Sequence, residues 1–208
     1  MSSTVQILPP RVRLNDLPVN QHRGMEAMWA VIATEFMLFA SMFAAYYYLG
    51  SNKDRWAEET APVIIYAILL LIILLSSSAI LMWGERQVKA GRFAAGRIAL
   101  WITVFFGIGF LALQGFEYYA HWRMLAPYSD SYGSIFYAIT SLHAAHVIVG
   151  VLMLMYVGII PRYGSTARTP HHIYRTVALY WHFVDAVWIL IVALLYIVPH
   201  FQAQLHGH

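Results

Sequence analysis

The sequence contains no cysteine and few charged residues. None of its 208 residues is a cysteine, which excludes a disulfide framework, a thiolate metal site, an iron–sulfur cluster and a thiol nucleophile. Charged side chains make up 11% of the chain, whereas about 25% is typical of a soluble domain. This composition excludes an ordinary soluble globular domain.

Hydrophobic residues, in contrast, make up 60% of the chain. Five apolar stretches are each long enough to cross the roughly 30 Å hydrocarbon layer of a membrane as a helix. Backbone amides inside lipid need internal hydrogen-bond partners, so these stretches are expected to be α-helices. The sequence predicts an all-α, polytopic membrane protein with one bundle of five transmembrane helices, at residues 27–49, 61–83, 98–119, 134–160 and 176–198.

The distribution of basic residues predicts the orientation of these helices. The N-terminal segment and the alternate loops on its side carry ten Lys and Arg residues, against three on the other side. By the positive-inside rule, the N-terminus is cytoplasmic and the C-terminus lies outside. The predicted divisions are a cytoplasmic segment at 1–26, a transmembrane domain at 27–198 and a short external tail at 199–208. Because the basic residues are spread over short loops, no nucleic-acid partner is expected.

Polar and ionisable side chains within the predicted spans are the candidate functional residues. Such groups are costly inside a membrane, so they usually face the protein interior and carry a function. Two roles are open for each candidate: a hydrogen-bonded residue of the bundle interior, or a part of a proton relay. The candidates are Glu35, Gln114, Glu117, His143, His146, His182 and Asp185.

Depth and spacing predict contacts among four of these residues. His146 and Asp185 lie about 12 and nine residues from the ends of their spans, near the membrane midplane. A contact between them would offset much of the cost of burying each one. His182 and Asp185 are three residues apart and share a helix face. We expect this pair to tie the last helix to its neighbours, with His143 and His146 among the contacts.

The histidines also allow a metal or haem site, because two histidines three residues apart can be ligands. Bis-histidine haem ligation is disfavoured, since His146 and His182 differ in depth by roughly 9 Å. A di-metal carboxylate site needs a Glu-x-x-His motif on each of two helices, and no predicted span has one. No catalytic, metal-binding or cofactor-binding residue is therefore predicted, and hydrogen-bonded interior histidines are the favoured reading.

Several motifs, taken together, resemble one protein family across all five spans. They are "ATEFMLF" at 33–39, "LQGFEYY" at 113–119, "FYAITSLHAAHVIVG" at 136–150, "HH" at 171–172 and "YWHFVDAVW" at 180–188. The pattern resembles subunit III of the haem-copper cytochrome c oxidases, in its short five-span bacterial form. In that family a buried glutamate stands where Glu35 lies, and a Gln-x-x-Glu-Tyr motif matches Gln114, Glu117 and Tyr118.

The resemblance implies an accessory subunit that binds no haem or copper itself. Such a subunit packs on catalytic subunit I, in a complex with subunit II and other subunits that hold the haem and copper and reduce oxygen to water. It binds structural phospholipids and supports proton uptake, stability and turnover, and a larger respiratory supercomplex is a further partner. The implied location is the bacterial cytoplasmic (inner) membrane. The alternatives are subunit III of a quinol oxidase, an accessory subunit of nitric oxide reductase and, less favoured, a small ion or proton transporter.

This chain differs from the family pattern in two features, which are the number of its spans and the identity of one residue. Seven-span members carry two further helices before the region that resembles this chain. The family often has an acidic residue shortly before "YWHFVD", where this chain has Arg175. Arg23, Arg97 and Arg175, together with Trp29, are expected at the inner membrane interface, where cationic side chains meet lipid phosphate. Their alternative role is to determine topology.

Overall fold

The computed structural model describes residues 21–51, 64–121, 131–159 and 171–199, and within these ranges it contains no β-strand. Five helices are each long and apolar enough to cross a membrane. They are α1 (Gln21–Gly50), α2 (Ile64–Lys89), α3 (Phe93–His121), α4 (Ser131–Ile159) and α5 (His171–Ile191), and α5 continues into a π-helical segment at Val192–Ile197. The prediction of an all-α, multi-pass membrane protein is confirmed.

The helices extend beyond the predicted apolar stretches. Helix α1 begins at Gln21 instead of residue 27, and α2 ends at Lys89 instead of residue 83. Hydropathy detects the part of a helix that lies in lipid, whereas backbone hydrogen bonds continue into the interface, where polar side chains are solvated. Residues 1–20 and 200–208 lie outside the described ranges, as do most of the loop residues from which the orientation was predicted. The orientation and the three-part division therefore stay predictions.

A tight connection makes α2 and α3 an antiparallel hairpin. The amide of Gly91 donates to the carbonyl of Val88 at 3.0 Å, and the amide of Arg92 donates to the carbonyl of Gln87 at 2.9 Å. Gly91 has φ +79°, a left-handed conformation that suits glycine because it has no Cβ. The C-terminal end of α2 and the N-terminal end of α3 therefore lie at the same end of the bundle.

Helix α5 is the most enclosed helix, with 56% of its span buried against 22% for α1. Trp181 on α5 is fully buried and packs against two glycines. A Cβ at Gly107 of α3 would lie 2.8 Å from the Trp181 ring, and one at Gly150 of α4 would lie 2.9 Å from it. Because both glycines leave room for the indole, three helices approach closely around Trp181. Asp185 of α5 is consequently buried among the helices.

Candidate functional site

The first polar contact joins Glu35 on α1 to His146 on α4. Glu35 Oε2 and His146 Nε2 lie 2.9 Å apart, and His146 Nδ1 lies 2.8 Å from the carbonyl oxygen of Leu142. A carbonyl oxygen can only accept, so Nδ1 carries a proton and donates it. One further proton can then reside between Nε2 and Oε2. The pair is either a neutral hydrogen bond or an imidazolium–carboxylate ion pair, depending on which atom holds that proton.

This contact corrects the predicted partner of His146. The pairing of His146 with Asp185 was wrong, because both ring nitrogens of His146 are occupied by Glu35 and Leu142. The Glu35 side chain is 30% exposed, and the His146 side chain is 11% exposed. The Phe39 ring lies against His146, with ring centroids 5.0 Å apart. The Glu35–His146 pair therefore lies at the edge of the bundle, between α1 and α4.

The second polar contact joins α5 to α2. His182 Nδ1 lies 2.5 Å from the hydroxyl oxygen of Ser78, and the indole of the preceding residue, Trp181, donates to Ser77 Oγ at 3.0 Å. Consecutive residues of α5 thus bond to consecutive serines of α2. The expected neighbours of His182 were histidines of α4, and Ser78 is a different partner. The serine run at 76–78, within a long apolar stretch, was the signal that could have indicated this contact.

Asp185 lies one turn further along α5 and is almost fully buried, with 4% exposure. Its Oδ2 is 3.9 Å from His182 Nδ1. Neither carboxylate oxygen has a hydrogen-bond partner among the described residues. His182 and Asp185 are therefore neighbours on one face of α5, as the three-residue spacing predicted.

His143 is a packing residue of the bundle interior and is fully buried. Its ring lies 4.9 Å from that of Trp188, 5.7 Å from that of Phe110 and 6.5 Å from that of Phe39. Within the described part of the chain, neither of its ring nitrogens has a hydrogen-bond partner. His143 and His146 do not form a joint site with His182, so the four predicted residues divide into separate contacts.

The Gln-x-x-Glu-Tyr motif joins α3 to α4 and to the end of α5. Glu117 is buried, and its Oε1 accepts a hydrogen bond from the hydroxyl of Tyr196 at 3.2 Å. The hydroxyl of Tyr118 donates to Thr140 Oγ1 at 2.7 Å. Gln114 is buried one turn before Tyr118 on α3. Tyr196, which the sequence reading did not single out, lies in the π-helical segment at the end of α5.

Two of the four lipid candidates share a cavity, which we call the Arg175 cavity. It has a volume of about 220 Å³ and is lined by Met25, Trp29, Glu85, Arg175, Ala178, Leu179 and His182. Arg97 is half-buried on α3 and is not among these lining residues. The side chain of Arg23 lies outside the described part of the structure. Among the described residues, no group of three or more His, Asp or Glu side chains could hold a metal ion.

Comparisons with a family model and with known proteins find similarity to one and the same family. Residues 18–200 match the family model "Cytochrome c oxidase subunit III". A cytochrome c oxidase subunit 3 from Thermostichus vulcanus is 31% identical over 174 residues, which are 82% of this chain and 85% of that protein. The corresponding proteins of Triticum aestivum and Arabidopsis thaliana are 39% and 37% identical over 121 residues. That match spans 57% of this chain and 44% of each plant relative.

Proposed function

Since the chain belongs to the cytochrome c oxidase subunit III family, we propose that it is an accessory subunit of an aerobic haem-copper oxidase. In this role it packs on subunit I, within a complex that also contains subunit II and other subunits. Those partner subunits hold the haem and copper and reduce oxygen to water. The chain itself supports proton uptake, stability and turnover, and it resides in a bacterial cytoplasmic membrane.

One observation supports the accessory role most directly. Three polar residues of the family motifs bond to other helices of the same bundle: Glu35 contacts α4, His182 contacts α2 and Glu117 contacts the end of α5. Contacts of this kind hold helices in place within lipid, where each buried polar group needs a partner. A bundle held in this way provides a defined surface for a larger membrane complex.

Support for proton uptake comes from the Glu35–His146 pair. The pair is partly exposed at the edge of the bundle, and a proton can move along its single 2.9 Å hydrogen bond. Such a pair can hold or release a proton near a partner subunit without a conducting path through this chain. We therefore propose an indirect role in proton supply for Glu35 and His146.

Support for phospholipid binding comes from the end of the bundle where α1 and α5 begin. Trp29 is 56% exposed there, and its amphipathic ring suits the headgroup level of a membrane. Arg175 lines the same cavity and supplies a cation for lipid phosphate. Arg97 and Arg23 are further candidates for headgroup contacts along the same interface.

The proposed function is tested by isolating the chain under native conditions. An affinity-tagged chain is purified in mild detergent, and its partners and lipids are identified by mass spectrometry. We expect haem-containing subunits I and II to co-purify, together with phospholipids and oxygen consumption supported by cytochrome c. Isolation without haem-containing subunits, combined with ion transport by the chain alone in proteoliposomes, would contradict the proposal and favour a transporter.

A further inference from the structure

Four buried side chains of the bundle interior have polar atoms that no described residue satisfies. They are Gln114 on α3, His143 on α4, and Asp185 and Trp188 on α5, and we call them the interior polar cluster. The atoms concerned are both amide atoms of Gln114, both ring nitrogens of His143, both carboxyl oxygens of Asp185 and the indole nitrogen of Trp188. None of the four residues is more than 4% exposed. Buried polar atoms without a protein partner are usually satisfied by ordered water.

The rings of three helices meet at the centre of this cluster. The ring centroids of His143 and Trp188 lie 4.9 Å apart, and that of Phe110 on α3 lies 5.7 Å from His143 and 5.0 Å from Trp188. Phe110 has no nitrogen or oxygen atom in its side chain, so it cannot satisfy the ring nitrogens of either neighbour. Packing therefore holds the imidazole and the indole beside each other, while their nitrogen atoms stay available to a small ligand.

The register of α3 places Gln114 next to this ring contact. Gln114 lies four residues after Phe110 and four before Tyr118, so the three side chains share one face of the helix. That face contacts α4 on both sides of Gln114, because the hydroxyl of Tyr118 donates to Thr140 and the ring of Phe110 contacts that of His143. Gln114 therefore lies between two contacts with α4, within about one helical turn, or roughly 5 Å, of the level of His143.

Asp185 adds a carboxyl group on the same face of α5 as Trp188. The two residues are three positions apart, which places them about 4.5 Å apart along the helix axis. Asp185 Oδ2 lies 3.9 Å from His182 Nδ1, which is too far for a hydrogen bond, and that nitrogen already bonds to Ser78. A ligand bound beside Trp188 is therefore about one helical turn from a carboxyl group that has no hydrogen bond to the described part of the chain.

Water matches the donors and acceptors of the cluster better than an ion does. The indole N–H of Trp188 can only donate, so it cannot ligate a cation. The carboxyl group of Asp185, when ionised, would repel an anion. The amide of Gln114 and a neutral imidazole at His143 each provide a donor and an acceptor. A water molecule both donates and accepts and typically makes about three hydrogen bonds to buried polar groups, so one molecule can bridge three of these side chains.

We propose that the interior polar cluster is a binding site for ordered water, which bridges α3, α4 and α5 through Gln114, His143 and Trp188 and extends toward Asp185. The bridge supplies hydrogen bonds at the centre of the bundle, where lipid cannot supply them. It also gives a role to motif residues that make no hydrogen bond to the described protein: Gln114 in "LQGFEYY", His143 in "FYAITSLHAAHVIVG", and Asp185 and Trp188 in "YWHFVDAVW". The inference concerns contacts within this chain and does not rest on the proposed function.

The experiment locates water in the purified complex by cryo-electron microscopy, at a resolution that shows ordered water. The signal is a density peak within roughly 2.7–3.2 Å of two or more nitrogen or oxygen atoms of the cluster. The variants are Gln114→Met and His143→Phe, which keep the approximate size of each side chain and remove its polar atoms. The matched control is Tyr174→Phe, since Tyr174 is also buried but its hydroxyl bonds to a protein group, the carbonyl of Leu81.

We expect a peak beside His143 in the wild type, within hydrogen-bond distance of Gln114 or Trp188 as well. Gln114→Met and His143→Phe should each lose this peak, because each removes hydrogen bonds that hold the water in place. Tyr174→Phe should keep it. The peak should have the same strength in chloride and in bromide buffer, because a halide does not replace the bound water.

Three results would overturn the inference. The first is a wild-type map without a peak in the cluster, including one in which Gln114, His143 and Trp188 bond directly to one another. The second is a peak that persists unchanged in both cluster variants. The third is a peak that becomes stronger in bromide, which would assign the site to an anion.

The water site and the proposed function can fail separately. The wild-type maps decide on the water site even where a variant does not assemble. The presence of subunits I and II in the same preparations tests the proposed function. If the chain purifies alone, a bound antibody fragment adds the mass that the same map requires.

Discussion

At the scale of single residues, the Glu35–His146 contact is the clearest proton-holding arrangement. The Leu142 carbonyl accepts the proton of Nδ1, so only the proton between Nε2 and Oε2 can change position. Glutamine at position 35 would keep the size of the side chain and can donate an N–H to Nε2, but it cannot exchange a proton. This isosteric change separates a role in proton supply from a role in packing.

We therefore predict that Glu35→Gln assembles normally but lowers the turnover of the complex and alters its pH dependence. The decrease should be less than about tenfold, because the role proposed for Glu35 is indirect, whereas loss of a direct acid or base costs roughly 10²–10⁴-fold. The measurement is oxygen consumption by purified complex across neutral to alkaline pH. The control is Glu26→Gln, an exposed carboxylate on the same helix. An unchanged pH profile in Glu35→Gln would refute the proton-related role.

The Ser78–His182 contact leads to a prediction about stability. Ser78→Ala leaves His182 Nδ1 without its serine partner in a partly buried position, which should cost about 1–3 kcal/mol. The measurement is the thermal midpoint of the purified complex. The control is Ser41→Ala, whose hydroxyl bonds to the Leu38 carbonyl on its own helix and is exposed. Equal midpoints for the Ser78 and Ser41 variants would show that the contact does not stabilise the bundle.

At the scale of helices, close packing around Trp181 determines how α3, α4 and α5 meet. Trp181 is fully buried, and its ring fills the space left by Gly107 and Gly150. Backbones approach closely in membranes where interface residues are small, because association there depends on packing instead of on exclusion of water. The same approach places the neighbouring His182 beside Ser78 of α2.

Two glycines of α3 give a matched test of this packing. A Cβ at Gly107 would lie 2.6 Å from Val151 Cγ2, whereas one at Gly109 has no atom within 4 Å. Gly107→Ala should destabilise the bundle by about 1–3 kcal/mol through overpacking. Gly109→Ala should be neutral or slightly stabilising, because alanine favours helix by roughly 1 kcal/mol over glycine. Thermal unfolding of both variants checks this, and equal effects would contradict the proposed role of Gly107.

At the scale of the whole molecule, the absence of cysteine makes the predicted orientation directly measurable. A single introduced cysteine is the only thiol in the chain, so a membrane-impermeant maleimide reports one position. We expect Gln204→Cys to be labelled from outside the cytoplasmic membrane and Ser3→Cys to be labelled only after lysis. The reverse pattern would invert the topology and place the Arg175 cavity at the outer interface.

The chemistry of the side chains determined the fold class from sequence alone. A continuous apolar stretch of about 20 residues satisfies its backbone hydrogen bonds in lipid by forming a helix, so five such stretches were sufficient to predict five helices. The same argument identified the residues that would need partners, since Glu35, His146, His182 and Asp185 stood out as polar groups in apolar stretches. The sequence motifs resembled those of cytochrome c oxidase subunit III, and the comparisons confirm that family.

The tertiary structure decided which of these residues meet. Depth along the membrane normal placed His146 and Asp185 at one level, but depth says nothing about the lateral order of helices or their rotation. Those are determined by close packing, such as that of Gly107 and Gly150 around Trp181, which depends on three helices at once. His146 therefore contacts Glu35, and His182 contacts a serine of α2, because the helices that carry these partners pack beside them.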